Sequence, residues 1–297
     1  MENAKEAILM GLFSKLGLGN NEKQEAAAPS QAAPKAPAPA PAPAPREPVP
    51  EIRAKETEYL IDRSYDCPIC AAKFKNRGSK LRARANRQDD DLRQVYDQLD
   101  PMKYQVILCP QCGYAATEKY FKEIFEGQKE QLIKGLGSGF SYTVPEGPFT
   151  YEDAIFRYKQ AIKCMEMKGS VKDSEIAYTY LRYGWTLRGK LESLDPKAAD
   201  YAENMKATKK EENLAIAHAY KGFYEALQKE DFPVAGMDQL TLTFLVAVLS
   251  VRFGKLDAAS KMIGQILTSH EASARLKDKA RDMKDEIVAK KKAAGQQ

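Results

Sequence analysis

The chain has 297 residues, a net charge of +5 and 43% hydrophobic residues, enough for about two domains of ordinary size. Five cysteines, four of them in two Cys-Pro-x-Cys pairs, point to metal ligation in a reducing, cytoplasmic setting and argue against a secreted disulfide framework. No run approaches the roughly 20 apolar residues of a membrane-spanning helix, and the modest charge does not by itself call for nucleic acid.

In chain order, residues 1–25 carry one amphipathic face, with Ile8, Leu9, Leu12, Phe13 and Leu16 at helical spacing. An isolated helix this short is marginal in water, so a frayed tail is the simple expectation. Weak membrane-surface contact by residues 8–16, or a short docking helix, is the alternative. Residues 26–56 read as a disordered Pro/Ala-rich linker. Nine of the 16 prolines fall within 26–50, and Ala36–Pro45 alternates Ala and Pro strictly. Such a stretch lacks backbone donors and extends as a polyproline-like spacer.

Residues 57–115 form the expected metal module. Tyr59, Ile61 and Arg63 suggest an extended entry to the first hook, Cys67-Pro68-Ile69-Cys70. Leu81, Ala83 and Ala85 alternate with Arg82 and Arg84 as in a half-buried strand. Asp89–Leu99 has the acidic first turn of a short helix. Tyr104–Leu108 then reads as a strand delivering the second hook, Cys109-Pro110-Gln111-Cys112. Residues 71–108 separate the hooks, 38 in all, against roughly 15–20 in compact ribbons. Structure inside the insert accounts for the excess.

Cys67, Cys70, Cys109 and Cys112 are the candidate metal ligands. Four thiolates complete a tetrahedral shell and leave no position for water, which makes the expected cofactor one structural Zn²⁺ per chain. Gly113, just past the second hook, suits a positive φ. A redox pair and an iron–sulfur cluster are the weaker readings. Cys164 falls in a helical stripe and reads as a small buried hydrophobe.

Beside the first hook, Lys73, Lys75, Arg77, Lys80, Arg82, Arg84 and Arg87 lie in a run without acids. Lys80, Arg82, Arg84 and Arg87 are the candidate anion-binding residues. Asp89, Asp90 and Asp91 follow directly and offer internal partners, and Phe74 alone interleaves the run.

From residue 116 to 292 the pattern is helical, with segments near 116–134, 151–168, 173–190, 197–229, 238–253, 256–269 and 273–291. Residues 293–297 read as a disordered tail. Several segments fit a tetratricopeptide-like template: Ala154, Tyr158 and Ala161; Tyr178, Leu181, Trp185 and Gly189; and Val246, Gly254, Ala259, Ile263 and Ile266. Phe149 stands where a turn glycine is usual, and a plain helical bundle is the alternative. The expected fold class is therefore α+β, mostly α, with a small four-cysteine, zinc-ribbon-like module followed by a tetratricopeptide-like helical repeat array.

CPICAAKF at 67–74, the basic-then-acidic run to Tyr96, CPQCGYA at 109–115, YLRYGWTLR at 180–188 and ARDMKD at 280–285 together resemble the bacterial domain-of-unknown-function 2225 family. The resemblance spans about Glu58 to Ile287. It implies a cytoplasmic bacterial protein with a metal-binding N-terminal module and helical repeats, and it assigns no activity.

His218 and His270 have no neighbouring Ser, Cys or Asp motif, and Gly135-x-Gly137-x-Gly139 lacks the Lys-Ser/Thr of a phosphate loop. The expectation is therefore a non-catalytic scaffold that binds a protein or peptide partner through its helices. A nucleic-acid binder using Lys73–Arg87 is the less favoured alternative.

Overall fold

The computed structural model describes residues 56–295 apart from 83 and 138. The expectations for residues 1–25 and for nearly all of the linker lie outside the described residues. Glu56, the last residue assigned to that linker, is buried: the Lys103 Nζ donates to it at 2.9 Å and the Tyr104 hydroxyl at 2.7 Å.

Three antiparallel hairpins open the described chain. Strand β1 (Leu60–Asp66) pairs with β2 (Lys73–Ser79), and the register Asp66↔Lys73 leaves the first hook at the hairpin tip. The short strands β3 (Arg87–Gln88) and β4 (Gln94–Val95) form a second hairpin. Strand β5 (Val106–Leu108) pairs with β6 (Ala115–Thr117), and Leu108↔Ala115 leaves the second hook at its tip. A 3-10 turn, Pro101–Tyr104, enters β5, with Asp100 accepting from the Met102 amide at 2.9 Å.

Two sequence expectations fail inside the insert. Residues 81, 82, 84 and 85 form no strand, so alternation there does not place arginines on one sheet face. Asp89–Leu99 is not a helix. Its acidic run forms the turn of the β3–β4 hairpin, where Asp89 and Asp91 accept from Arg188 at 3.2 and 2.6 Å. Tertiary ion pairing overrides the local preference of acids for a helix start.

Seven α-helices follow among the described residues: α1 (Glu126–Leu136), α2 (Tyr151–Met167), α3 (Asp173–Ser193), α4 (Tyr201–Lys229), α5 (Gln239–Arg252), α6 (Leu256–Thr268) and α7 (Ala274–Gly295). The first starts ten residues later than residue 116, because Ala115–Thr117 is completing the hairpin with β5. The last runs through residues 293–295 of the expected tail. Local signals start several of them. Thr150 accepts from the Asp153 amide at 3.1 Å while Asp153 accepts from the Thr150 amide at 2.8 Å, a reciprocal cap on α2. Asp238 caps α5 through the Thr241 amide at 2.8 Å.

Each helix packs mainly on its neighbours in sequence. Small residues set the closest approach. A Cβ on Gly222 would lie 2.8 Å from the Asp173 carbonyl oxygen and 2.9 Å from the Ala177 Cβ, so the α3–α4 crossing requires glycine there. The boundary drawn after residue 115 falls inside β6, and the core runs across it. Cys67, Cys109, Leu108 and Ala115 share one buried cluster with Phe121, Tyr158, Cys164 and Leu187. No helix among the described residues is long and apolar enough to cross a membrane.

Candidate metal centre

The two hooks are built alike. In the first, the Ala71 amide donates to the Cys67 carbonyl at 3.0 Å and the Cys67 amide to the Ala72 carbonyl at 2.9 Å. In the second, Gly113 donates to Cys109 at 3.1 Å and Cys109 to Tyr114 at 2.8 Å. The residue after each second cysteine is left-handed, Ala71 with φ 59° and Gly113 with φ 76°. Glycine adopts that conformation without strain, and alanine does so at a cost of about 1–2 kcal/mol.

The turns bring the four sulfurs within 4.8 Å of one another. Cys67 and Cys112 are 3.6 Å apart at sulfur, as are Cys70 and Cys109. A disulfide needs about 2.05 Å, and all the cysteines are free thiols. Tetrahedral sulfurs at a metal–sulfur distance of about 2.3 Å lie about 3.8 Å apart. The four cysteines therefore could hold a metal ion. Cys67 and Cys109 are buried, Cys112 is half-buried and Cys70 is exposed.

Crowding makes the Cys67, Cys109 and Cys112 thiols unequal. The hydrogen bond from Cys112, then that from Cys67, pushes Cys109 down to about 2. Cys67 rises to about 12, first through its bond to Cys109. Cys112 is pushed up as well, again first through Cys109. One thiolate forms at its neighbours' expense, so sharing several thiolates in this space requires a compensating cation.

Helix α2 braces the second hook. The Gln160 side-chain amide donates to the Gly113 carbonyl at 2.7 Å. The Ala115 amide donates to the Cys164 sulfur at 3.3 Å. Burial pushes the Cys164 thiol up to about 11, which keeps it protonated and able to point at Gly113 O, 3.5 Å away. Cys164 is buried as expected, but its hydrogen bonds to the hook are invisible to hydropathy. Arg157, fully buried on the same helix, donates to the Val106 carbonyl at 2.9 Å and to Asn76 Oδ1, joining the outer hairpins.

The basic run is divided. Lys80, Arg82 and Arg84 are exposed and form no ion pair among the described residues. Arg87 is committed, to Asp89 at 3.1 Å and to Glu192 on α3 at 3.1 Å. Arg77 pairs with Asp62 at 3.4 Å. Phe74 turns inward, 6.1 Å from the Tyr65 ring and 6.2 Å from Phe121, so it is core and not a base-stacking platform. Of the histidines, His218 stacks on Tyr180 at 4.5 Å, and burial followed by the charge of Lys221 lowers its pKa. His270 lies exposed in the turn between α6 and α7.

Sequence reasoning also missed the ion network behind the β3–β4 hairpin. Arg188 gathers Asp89, Asp91 and Glu212. Glu212, fully buried, also accepts from Arg252 and Lys209 at 2.9 Å each. The Trp185 indole donates to Asp91 at 3.0 Å.

A family model described as an uncharacterized protein conserved in bacteria (DUF2225) matches residues 60–287. The chain belongs to this family. No curated protein and no solved structure matches it. Both hooks, the bracing helix α2 and the Arg188 network lie within the DUF2225 match.

Proposed function

We propose that the four cysteines hold one structural zinc ion and that the DUF2225 chain is a non-catalytic interaction scaffold in the cytoplasm. The convergence of four sulfurs from two hairpin tips carries this reading. Its all-thiolate donor set suits zinc and fills the tetrahedron, and the paired hooks favour a zinc-ribbon-like description. Reduced thiols agree with a cytoplasmic location. The helices support a tetratricopeptide-like array. Of the phased positions, Ala154, Tyr158, Ala161, Ala259, Ile263 and Ile266 are buried, while Tyr178 is half-buried and Gly254 exposed, and sequential packing is how solenoids build a binding face for a peptide or partner domain.

The test uses the full chain as bait for affinity capture, followed by reconstitution with each purified candidate. A partner that binds the folded chain and not a denatured one is the expected result. Absence of any such pair contradicts the scaffold. A second reading, contact with nucleic acid, is favoured by exposed Lys80, Arg82 and Arg84. RNA and DNA titrations across salt decide it, since phosphate-driven affinity falls steeply as salt rises.

A further inference from the structure

A cavity of about 410 Å³ lies where the β3–β4 hairpin, the 3-10 turn, α3 and the approach to α5 meet. That is within the usual range of about 300–1,000 Å³ for small-molecule sites. Arg182 lines it and is the single charged residue among the described lining. Its guanidinium has no carboxylate partner among the described residues. Nη1 donates to the Met102 sulfur at 3.5 Å, a weak acceptor, and Nε is buried with no partner.

The contrast on the same helix is informative. Less than two turns further along α3, Arg188 collects three carboxylates. Arg182 instead lies over two rings, 4.8 Å from the Tyr178 centroid and 4.9 Å from that of Trp185. The rings orient the cation and stabilise it in part, yet they supply no acceptor. Trp185 is itself fixed by its hydrogen bond to Asp91. The remaining wall is apolar through Leu181, Leu245 and Met102, with the Gln94 and Gln105 amides at the side.

We infer that this cavity binds a small anion attached to a flat apolar body, a carboxylate or a phosphate ester, with Arg182 as its anchor. A preoriented, partly desolvated guanidinium makes strong charge-assisted hydrogen bonds to either group. The aromatic and aliphatic walls take the apolar body.

Trp185 is the chain's single tryptophan and lines this cavity, so the emission comes from one residue on the cavity wall. The experiment titrates the full-length protein with benzoate, phenyl phosphate, inorganic phosphate and the neutral benzyl alcohol. Tryptophan emission and calorimetric heat are read together. Benzoate or phenyl phosphate is expected to saturate below about 1 mM. Benzyl alcohol and inorganic phosphate are expected to bind at least about tenfold more weakly, the one lacking the charge and the other the apolar body. Arg182→Gln is expected to remove the preference for the charged probes. Absence of saturation by either organic anion overturns the proposal, as does equal binding of benzyl alcohol. Those outcomes are read on the wild-type chain and do not depend on the variant folding. Unchanged anion affinity in a folded Arg182→Gln protein overturns the role of Arg182.

Discussion

Ala71 and Gly113 sit at the same place in their two hooks, with φ of 59° and 76°, but only the second is free of strain. A Cβ on Gly113 would also lie 2.8 Å from the Phe140 ring. Gly113→Ala is therefore expected to destabilise the fold by about 1–3 kcal/mol, through left-handed strain and overpacking. Ala71→Gly is expected to be neutral or stabilising by about 1 kcal/mol. Urea denaturation of both variants checks the pair, and equal losses would contradict the account of the turns. Gly113 is legible from sequence because glycine follows a Cys-x-x-Cys hook. Ala71 is not, because nothing in an alanine announces a positive φ.

Glu212 supplies a second residue-level test. Burial alone raises its carboxyl, but the hydrogen bond and charge of Arg252, with Lys209 and Arg188 behind them, bring it down to about 2. A depressed carboxylate stabilises the fold above its unfolded pKa near 4.5, and that contribution is lost as pH falls through the folded value. The shift corresponds to about 3 kcal/mol. Stability should thus decline between about pH 5 and pH 2 in the wild type, and less steeply in Glu212→Gln. At neutral pH, Glu212→Ala leaves Arg188 and Arg252 short of a buried partner and is expected to cost about 3–5 kcal/mol. Thermal unfolding across pH measures both, and an unchanged acid slope in Glu212→Gln would contradict the assignment.

At the scale of elements, the α3–α4 pair depends on Gly222 passing the Asp173 carbonyl. Backbone on the far side cannot move cheaply, so Gly222→Ala is expected to cost about 1–3 kcal/mol despite alanine's better helix propensity. A gain in stability would contradict the close crossing. Helices are legible where periodicity and caps agree: the pattern over residues 151–168 becomes Tyr151–Met167, behind the Thr150–Asp153 cap. The insert between the hooks is not legible in this way. Asp89–Asp91 mimic a helix N-terminus, and the partners that pull them into a hairpin turn, Arg188 and Trp185, lie about a hundred residues away. The stretch 81–85 alternates like a strand in sequence, but residues 81, 82, 84 and 85 form no strand. Phe149 falls where a repeat template has its turn glycine, whereas its ring stacks on Tyr104 at 5.2 Å in the core.

For the folded body as a whole, the hooks and the helices share a buried cluster, so the candidate metal site is not an appendage. Cys67 and Cys109 pack with Tyr158, Cys164 and Leu187, and Gln160 and Cys164 hold the second hook from α2. An ion held by the four cysteines would add directly to folding free energy. Stripping the metal with a chelator is expected to lower the thermal midpoint of the helical signal, not only of the hairpins. Unaltered helical unfolding after verified metal loss would contradict that coupling. The four cysteines themselves are legible because Cys-Pro-x-Cys is a local pattern. Their bracing by α2 is not, since it is set by contacts 47 to 51 residues apart.

One zinc ion held by four sulfurs is the state proposed for the two hooks. Zinc X-ray absorption on the purified full-length protein, with metal content measured on the same sample, tests it most directly. The expected result is one zinc per chain with four sulfur neighbours at about 2.3 Å, and loss of that signature in Cys67→Ser. Substoichiometric zinc, nitrogen or oxygen in the shell, or an unchanged spectrum in Cys67→Ser would contradict it.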